Sequence, residues 1–168
     1  MEDKVLLDVQ GLKTYFHTFK GVVKAVDNVS FSLKEGEILG IVGESGSGKS
    51  VTSFSILKLV EDPGVVDADH IMFDGKDLAK ISERDMSKIR GKDISMVFQD
   101  PMTSLNPIIT IGKQITSVIM KHQDCTENEA RLRALDLMDK VGIPNPEARF
   151  DDYPFQYSGG MRQRIVIA

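Results

Sequence analysis

Gly43-Glu44-Ser45-Gly46-Ser47-Gly48-Lys49-Ser50 fits the pattern G-x-x-x-x-G-K-[ST] at every defined position. Its flanks fit as well. Glu37–Val42 (EILGIV) reads as a buried strand. From Lys49 to Val60, residues Val51, Phe54 or Ser55, Ile56-Leu57 and Leu59-Val60 fall at helical spacing, until Pro63-Gly64 ends the run. Strand, glycine-rich loop and helix together predict a phosphate cradle. Small residues let successive backbone amides curl around phosphate oxygens, and the helix N-terminus adds partial positive charge. Lys49 is placed to reach β- and γ-phosphates, and the Ser50 hydroxyl to ligate Mg²⁺. Kinases, GTPases and several ATPase families share such a loop, so the cradle alone leaves the class open.

Upstream of the loop, Val5–Val9, Val22–Val26 and Val29–Leu33 carry strand patterns punctuated by Gly11 and Gly21. Downstream, His70–Asp74 and Asp93–Phe98 read as strands, and Ser82 as the cap of a short basic helix reaching Arg90. Gln99 then ends a strand just before Pro101, where a side-chain amide could ligate a metal or orient a water. The character changes after Pro101. Thr110 opens a helix with Ile111, Ile115 and Val118-Ile119 on one face. Thr126-Glu127-Asn128-Glu129 predicts a capping box, and its helix carries Leu132, Leu135, Met138 and Val141 at three-residue steps before stopping at Gly142. Ser158 is the expected N-cap of a last helix, with Gly159-Gly160 leaving its first amides open to an anion. These signals divide the chain into a sheet-rich part over 1–98, a helical part over 99–157 and the last helix from 158 to 168.

Composition narrows the classes. The chain has 168 residues, a net charge of −4 and its basic residues scattered among acids, which argues against a nucleic-acid surface. Cys125 is the only cysteine, so no internal disulfide can form. Apolar runs such as Ile38–Val42 and Ile165–Ala168 are far shorter than the roughly 20 residues of a spanning helix. His17, His70 and His122 are dispersed without metal-like spacing, and Asp151-Asp152 fit an exposed turn.

Taken in order, the phosphate loop, Gln99 and Ser158-Gly159-Gly160-Met161-Arg162-Gln163 resemble the ATP-binding cassette (ABC) family over nearly the whole chain. The runs VGESGSGKS, VFQDPMTSLNP and YP followed by SGGMRQR are similar to oligopeptide, dipeptide and nickel importer ATPases, and SGSGKS with Met161 to the D-type of their two paired cassettes. Phe155-Gln156-Tyr157 departs from the His-Glu-aromatic run common in that subfamily. The resemblance implies an α/β fold: a P-loop core fed by an antiparallel N-terminal sheet, with a helical subdomain. It implies ATP and Mg²⁺ as ligands, Phe16 as the ring stacking on adenine, and Gln99 as the residue coupling nucleotide state to the permease. Tyr15, pointing the other way on the strand, is the competing aromatic. Ser158, Gly159, Gly160, Met161 and Gln163 would face the ATP of a second subunit, most simply in a heterodimer. Two permease subunits and an extracytoplasmic binding protein would complete the assembly at the cytoplasmic face of the membrane.

The family's Walker B Asp-Glu, D-loop and switch histidine follow the signature helix, and residues 1–168 contain no counterpart. Ile71-Met72-Phe73-Asp74 is the nearest hydrophobic-Asp run, but Gly75 follows it and it precedes the signature. The expectation is a fragment that binds nucleotide and cannot hydrolyse it efficiently alone. A catalytically silent nucleotide-binding module is the alternative reading, and nickel the alternative cargo. A soluble ABC protein of DNA repair or translation is disfavoured by QDPMTSLNP and the acidic balance.

Overall fold

The computed structural model describes residues 4–98 and 104–168. They form two compact units that part between Ser87 and Lys88, inside a short helix; the motif-based division sits instead at 98/99. Residues 99–103, Gln99 among them, lie outside the described residues.

In the first unit, β-branched and aromatic residues build a long antiparallel hairpin, β1 (Val5–Thr18) and β2 (Gly21–Lys34), where three shorter strands were expected. The opposite edge of β1 is shared. Its C-terminal half pairs with β3 (Gly64–Asp67) and its N-terminal half with β4 (His70–Phe73), to which β5 (Lys76–Asp77) adds. Gly11 sits at the junction with φ +63°, where a Cβ would fall 2.4 Å from the Asp69 carboxylate. Its N–H donates to Ser30 Oγ at 2.9 Å. Val9, Leu12, Val26, Ile56 and Ile71 are buried in this unit.

Helix α1 (Lys49–Ile56) is shorter than the apolar spacing suggested. Lys58 takes a left-handed conformation and the Leu59 N–H bonds back to the Phe54 carbonyl at 2.8 Å, a closing pattern that turns the chain out of the helix. Two buried hydroxyls tie α1 to the sheet. Thr14 Oγ1 and Ser55 Oγ lie 2.7 Å apart, and Ser55 Oγ also donates to the Val51 carbonyl at 2.7 Å. Helix α2 (Glu83–Ile89) starts where expected, with Ser82 Oγ accepting from the Asp85 N–H.

Two expected strands are absent. Ile38–Val42 takes no regular structure, and Ile38 and Val42 are 96% and 94% exposed. An apolar run becomes a strand only when another strand meets its amides, and among the described residues none does. Asp93–Phe98 is likewise not a strand. The amides of Lys92, Asp93 and Ile94 all bond the Ile89 carbonyl, so this segment starts as a tight turn, with one parallel bridge from Arg90 to Ile94.

The second unit packs α3 (Ile111–His122) against α4 (Glu127–Lys140), followed by α5 (Pro146–Arg149), a 3₁₀ turn over Pro154–Gln156 and α6 (Gly159–Ile167). Ile111, Ile115 and Ile119 are buried as the spacing predicts, but Val118 is 55% exposed. Thr110 holds the N-cap position of α3 without capping through its side chain. Backbone carbonyls do that work: the Ile111 and Gly112 amides donate to Asp152 and Phe150 at 2.9 and 2.8 Å. The α4 capping box forms with both limbs, Thr126 to the Glu129 amide and Glu129 to the Thr126 amide. Of the residues at three-residue steps, Leu135, Met138 and Val141 pack on the core of this unit and Leu132 does not. Leu132 is 68% exposed, while Ala130, Ala134 and Met138 are fully buried. Small residues at four-residue steps let two helices approach closely, and Ala130 and Ala134 take the fully buried positions beside Met138. Gly142, at φ +73°, and the bond from Ile143 N–H to the Met138 carbonyl end α4.

Candidate functional site

Gly43–Ser50 forms a continuous turn running into α1. Gly46 and Gly48 have φ of +79° and +89°, and Gly48 is the N-cap of the helix. A Cβ on Gly48 would lie 2.2 Å from the Ala25 carbonyl oxygen of β2, and one on Gly43 would lie 2.6 Å from Ser47 Oγ. At Gly46 nothing lies within 4 Å, so that side of the loop is open. The loop is therefore seated on β2 through a contact only glycine permits. Gly48 also supplies the carbonyl that opens α1, accepting from the Thr52 N–H at 2.8 Å and the Thr52 hydroxyl at 3.0 Å.

Lys49 folds its side chain back into the turn. Its ammonium donates to the carbonyls of Gly43 (2.8 Å) and Glu44 (2.7 Å) and approaches Ser47 Oγ at 3.4 Å. Glu44, Ser45 and Ser50 are exposed, and Ser50 occupies the second position of the helix. The result is a positive charge encircled by loop carbonyls, beside a helix start whose first amides have no intrahelical partner. An anion bearing several oxygens suits this donor set, and the open ground over Gly46 admits one.

Phe16 lies on β1 in the same unit, opposite Val23 on β2 and Gly64 on β3. It is half-buried. Tyr15 is committed elsewhere: its hydroxyl donates to Asp27, and Lys24 Nζ stands 5.2 Å from its ring centroid. The hydrogen bond to Asp27 raises the Tyr15 pKa, and the Tyr15 and Lys24 hydrogen bonds hold Asp27 below the ordinary carboxylate value. Of the two aromatics, Phe16 is the one whose ring no polar partner engages among the described residues.

In the second unit Ser158 caps α6, its Oγ accepting from the Met161 N–H at 3.4 Å. Gly159 and Gly160 are exposed, with nothing within 4 Å of where a Cβ would stand. Met161 packs onto the core of the helical unit and Gln163 is exposed, so the motif divides into an anchor and a presenting face. Arg162 Nε is buried without a partner among the described residues. Tyr157, 2% exposed, braces the turn before Ser158 by donating to the Arg149 carbonyl at 2.6 Å, and burial pushes its pKa up to about 12.

His70 pairs with Asp8 at 2.9 Å across β4 and β1. Sequence reasoning also missed Ala25 and Gly64, which support the loop and the aromatic through backbone proximity. Such contacts leave no local pattern. Thr52, three residues after Lys49, was detectable as a hydroxyl able to bond back to the fourth carbonyl before it.

Residues 26–168 match the family model described as ABC transporter. The chain is 53% identical over 164 residues to the oligopeptide transport ATP-binding protein OppD of Bacillus subtilis, covering 97% of this chain and 46% of that protein. It is 50% identical over 163 residues to the dipeptide transport ATP-binding protein DppD of Escherichia coli, covering 97% and 50%. With the oligopeptide transport ATP-binding protein AmiE of Streptococcus pneumoniae it shares 51% over 168 residues, covering 99% and 47%. The chain thus spans about half the length of the curated relatives it matches. Among solved structures it is similar to a dimeric ATP-binding cassette in a post-hydrolysis state with ADP and phosphate, at TM-score 0.83 and 25% identity, covering 96% of this chain and 67% of that one.

Proposed function

Since the chain belongs to the ABC transporter family, with an α/β cassette fold, we propose that it is part of the ATP-binding subunit of a peptide importer. In this reading ATP binding and hydrolysis drive uptake of oligopeptides or dipeptides through a permease, as the names of the relatives suggest. The observation that carries it is Lys49, held by two loop carbonyls in a turn where Gly48 leaves no room for a side chain against Ala25.

Each residue has a task here. The amides of Glu44 to Lys49 cradle phosphate oxygens, and the Lys49 ammonium offsets the charge of the β- and γ-phosphates. The Ser50 hydroxyl, with Gln99, would hold Mg²⁺, which when bound neutralises the charge between those phosphates. Phe16 supplies a flat face for adenine. Ser158, Gly159, Gly160, Met161 and Gln163 serve the ATP of a second, similar subunit, in keeping with the dimeric state of the similar cassette. Two permease subunits would receive the pair at the cytoplasmic face of the membrane, fed by an extracytoplasmic binding protein. Among the described residues no helix is long and apolar enough to cross a membrane.

Titration with Mg²⁺-ATP tests the site. Lys49→Ala is expected to weaken affinity by about tenfold or more, on the scale of a lost charge-assisted contact. Unchanged affinity would remove Lys49 from the site. Cargo is tested in cells: disrupting the gene should abolish uptake of a labelled dipeptide or oligopeptide, whereas loss of nickel uptake alone would replace the peptide reading.

A further inference from the structure

The strand beside Phe16 has no side chain where the ring lies. Gly64 opens β3 directly opposite Phe16, and a Cβ built there would stand 2.7 Å from Phe16 Cε1 and 2.5 Å from Val60 Cγ1. The φ of Gly64 is one that any residue can adopt, unlike that of Gly46 or Gly48. Backbone conformation therefore gives no reason for glycine at 64. Space does: the Phe16 ring lies down over the bare backbone of β3, with Val60 closing one side.

We infer that Gly64 is a positioning residue for the nucleotide base, fixing the plane and height of the Phe16 ring so that its outer face meets the base. This rests on the reading of Phe16 as the adenine platform. A methyl at 64 would push against the far ends of two side chains, the Phe16 ring and Val60, which can move, and against the Glu61 carbonyl at 3.0 Å, which is only a tight contact. The ring yields before the sheet does. Stacking depends on a parallel face within van der Waals reach, so a tilted ring loses the base while the phosphate loop stays intact.

The test compares two ligands on the full chain, Mg²⁺-ATP and Mg²⁺-tripolyphosphate, the second lacking a base. Gly64→Ala is expected to weaken ATP by roughly five- to tenfold, within the range of a lost base stack, and leave tripolyphosphate within about twofold. Phe16→Ala should do the same to a larger extent. In the Phe16→Ala background, Gly64→Ala should have no further effect, because the ring it displaces is gone. If Gly64→Ala alone loses both ligands, the double variant should recover tripolyphosphate binding. Unchanged ATP affinity in Gly64→Ala, an equal ATP loss in both backgrounds, or, where Gly64→Ala has also lost tripolyphosphate, no recovery of it in the double variant would each overturn the assignment. Failure of the phosphate-loop reading is visible separately, as tripolyphosphate affinity that Lys49→Ala does not alter.

Discussion

Gly46 and Gly48 share a left-handed backbone two residues apart, and they should answer differently to the same methyl group. At φ of +79° and +89°, an alanine costs about 1–2 kcal/mol of backbone strain at either position. The surroundings then part them. Gly46 has nothing within 4 Å of its Cβ position, so Gly46→Ala should stop near that figure. At Gly48 the methyl would fall 2.2 Å from the Ala25 carbonyl oxygen, and neither atom belongs to a flexible side chain. Relief requires shifting β2 or the first turn of α1, where the Gly48 carbonyl already takes bonds from the Thr52 N–H and hydroxyl. Forced overpacking of this kind adds about 1–3 kcal/mol. The expected order is wild type, then Gly46→Ala, then Gly48→Ala, with the last step about 1–3 kcal/mol. In urea that is a midpoint difference on the order of 1 M between the two variants. Coincident midpoints would refute the claim that the loop is seated on Ala25, since backbone strain alone would then explain both.

Three further outcomes follow from the same geometry. Ser55→Ala strands the buried Thr14 hydroxyl and should cost about 1–3 kcal/mol, whereas Thr14→Val with Ser55→Ala should cost less than the sum of the single changes; denaturation midpoints across the double-mutant cycle decide it. Thr126→Ala removes one limb of an exposed capping box and should destabilise the helical unit by about 1 kcal/mol, read from its melt. Tyr157 has a folded pKa of about 12 against an ordinary value of 10.0, so its stabilisation is complete below the lower value and disappears as pH rises toward the upper one. Stability measured through that alkaline window should fall in the wild type, and Tyr157→Phe should flatten that part of the profile.

What the sequence made legible was local or chemical. The capping box at Thr126, the stop at Gly142, the cap at Ser158 and the glycine-rich turn over Gly43–Ser50 each depend on a few consecutive residues, and each forms. The misread elements depended on partners. Ile38–Val42 has the composition of a central strand, but composition encodes a wish for burial, and a strand needs a neighbour to supply its hydrogen bonds. Leu132 drew attention by size, while the contact between α3 and α4 selected the alanines at 130 and 134. Ala25 beneath Gly48 and Gly64 beside Phe16 are backbone coincidences across strands, invisible to any periodicity. Gln99 lies outside the described residues, so its place beside the loop remains a proposal.

The seating of Gly48 on Ala25 makes the cradle a cantilever. Its far end is clamped, through the helix start, the hydroxyl pair of Thr14 and Ser55, and the β2 carbonyl. Its near end arrives from Ile38–Val42, a segment without ladder bonds among the described residues. Load placed on the loop by a bound anion is therefore borne by the hairpin and α1, and stiffness should decay from Lys49 back toward Ile38. Amide exchange would trace that gradient residue by residue, slow at Thr52 and fast at Ile41. The antiparallel sheet is the wall into which the beam is set.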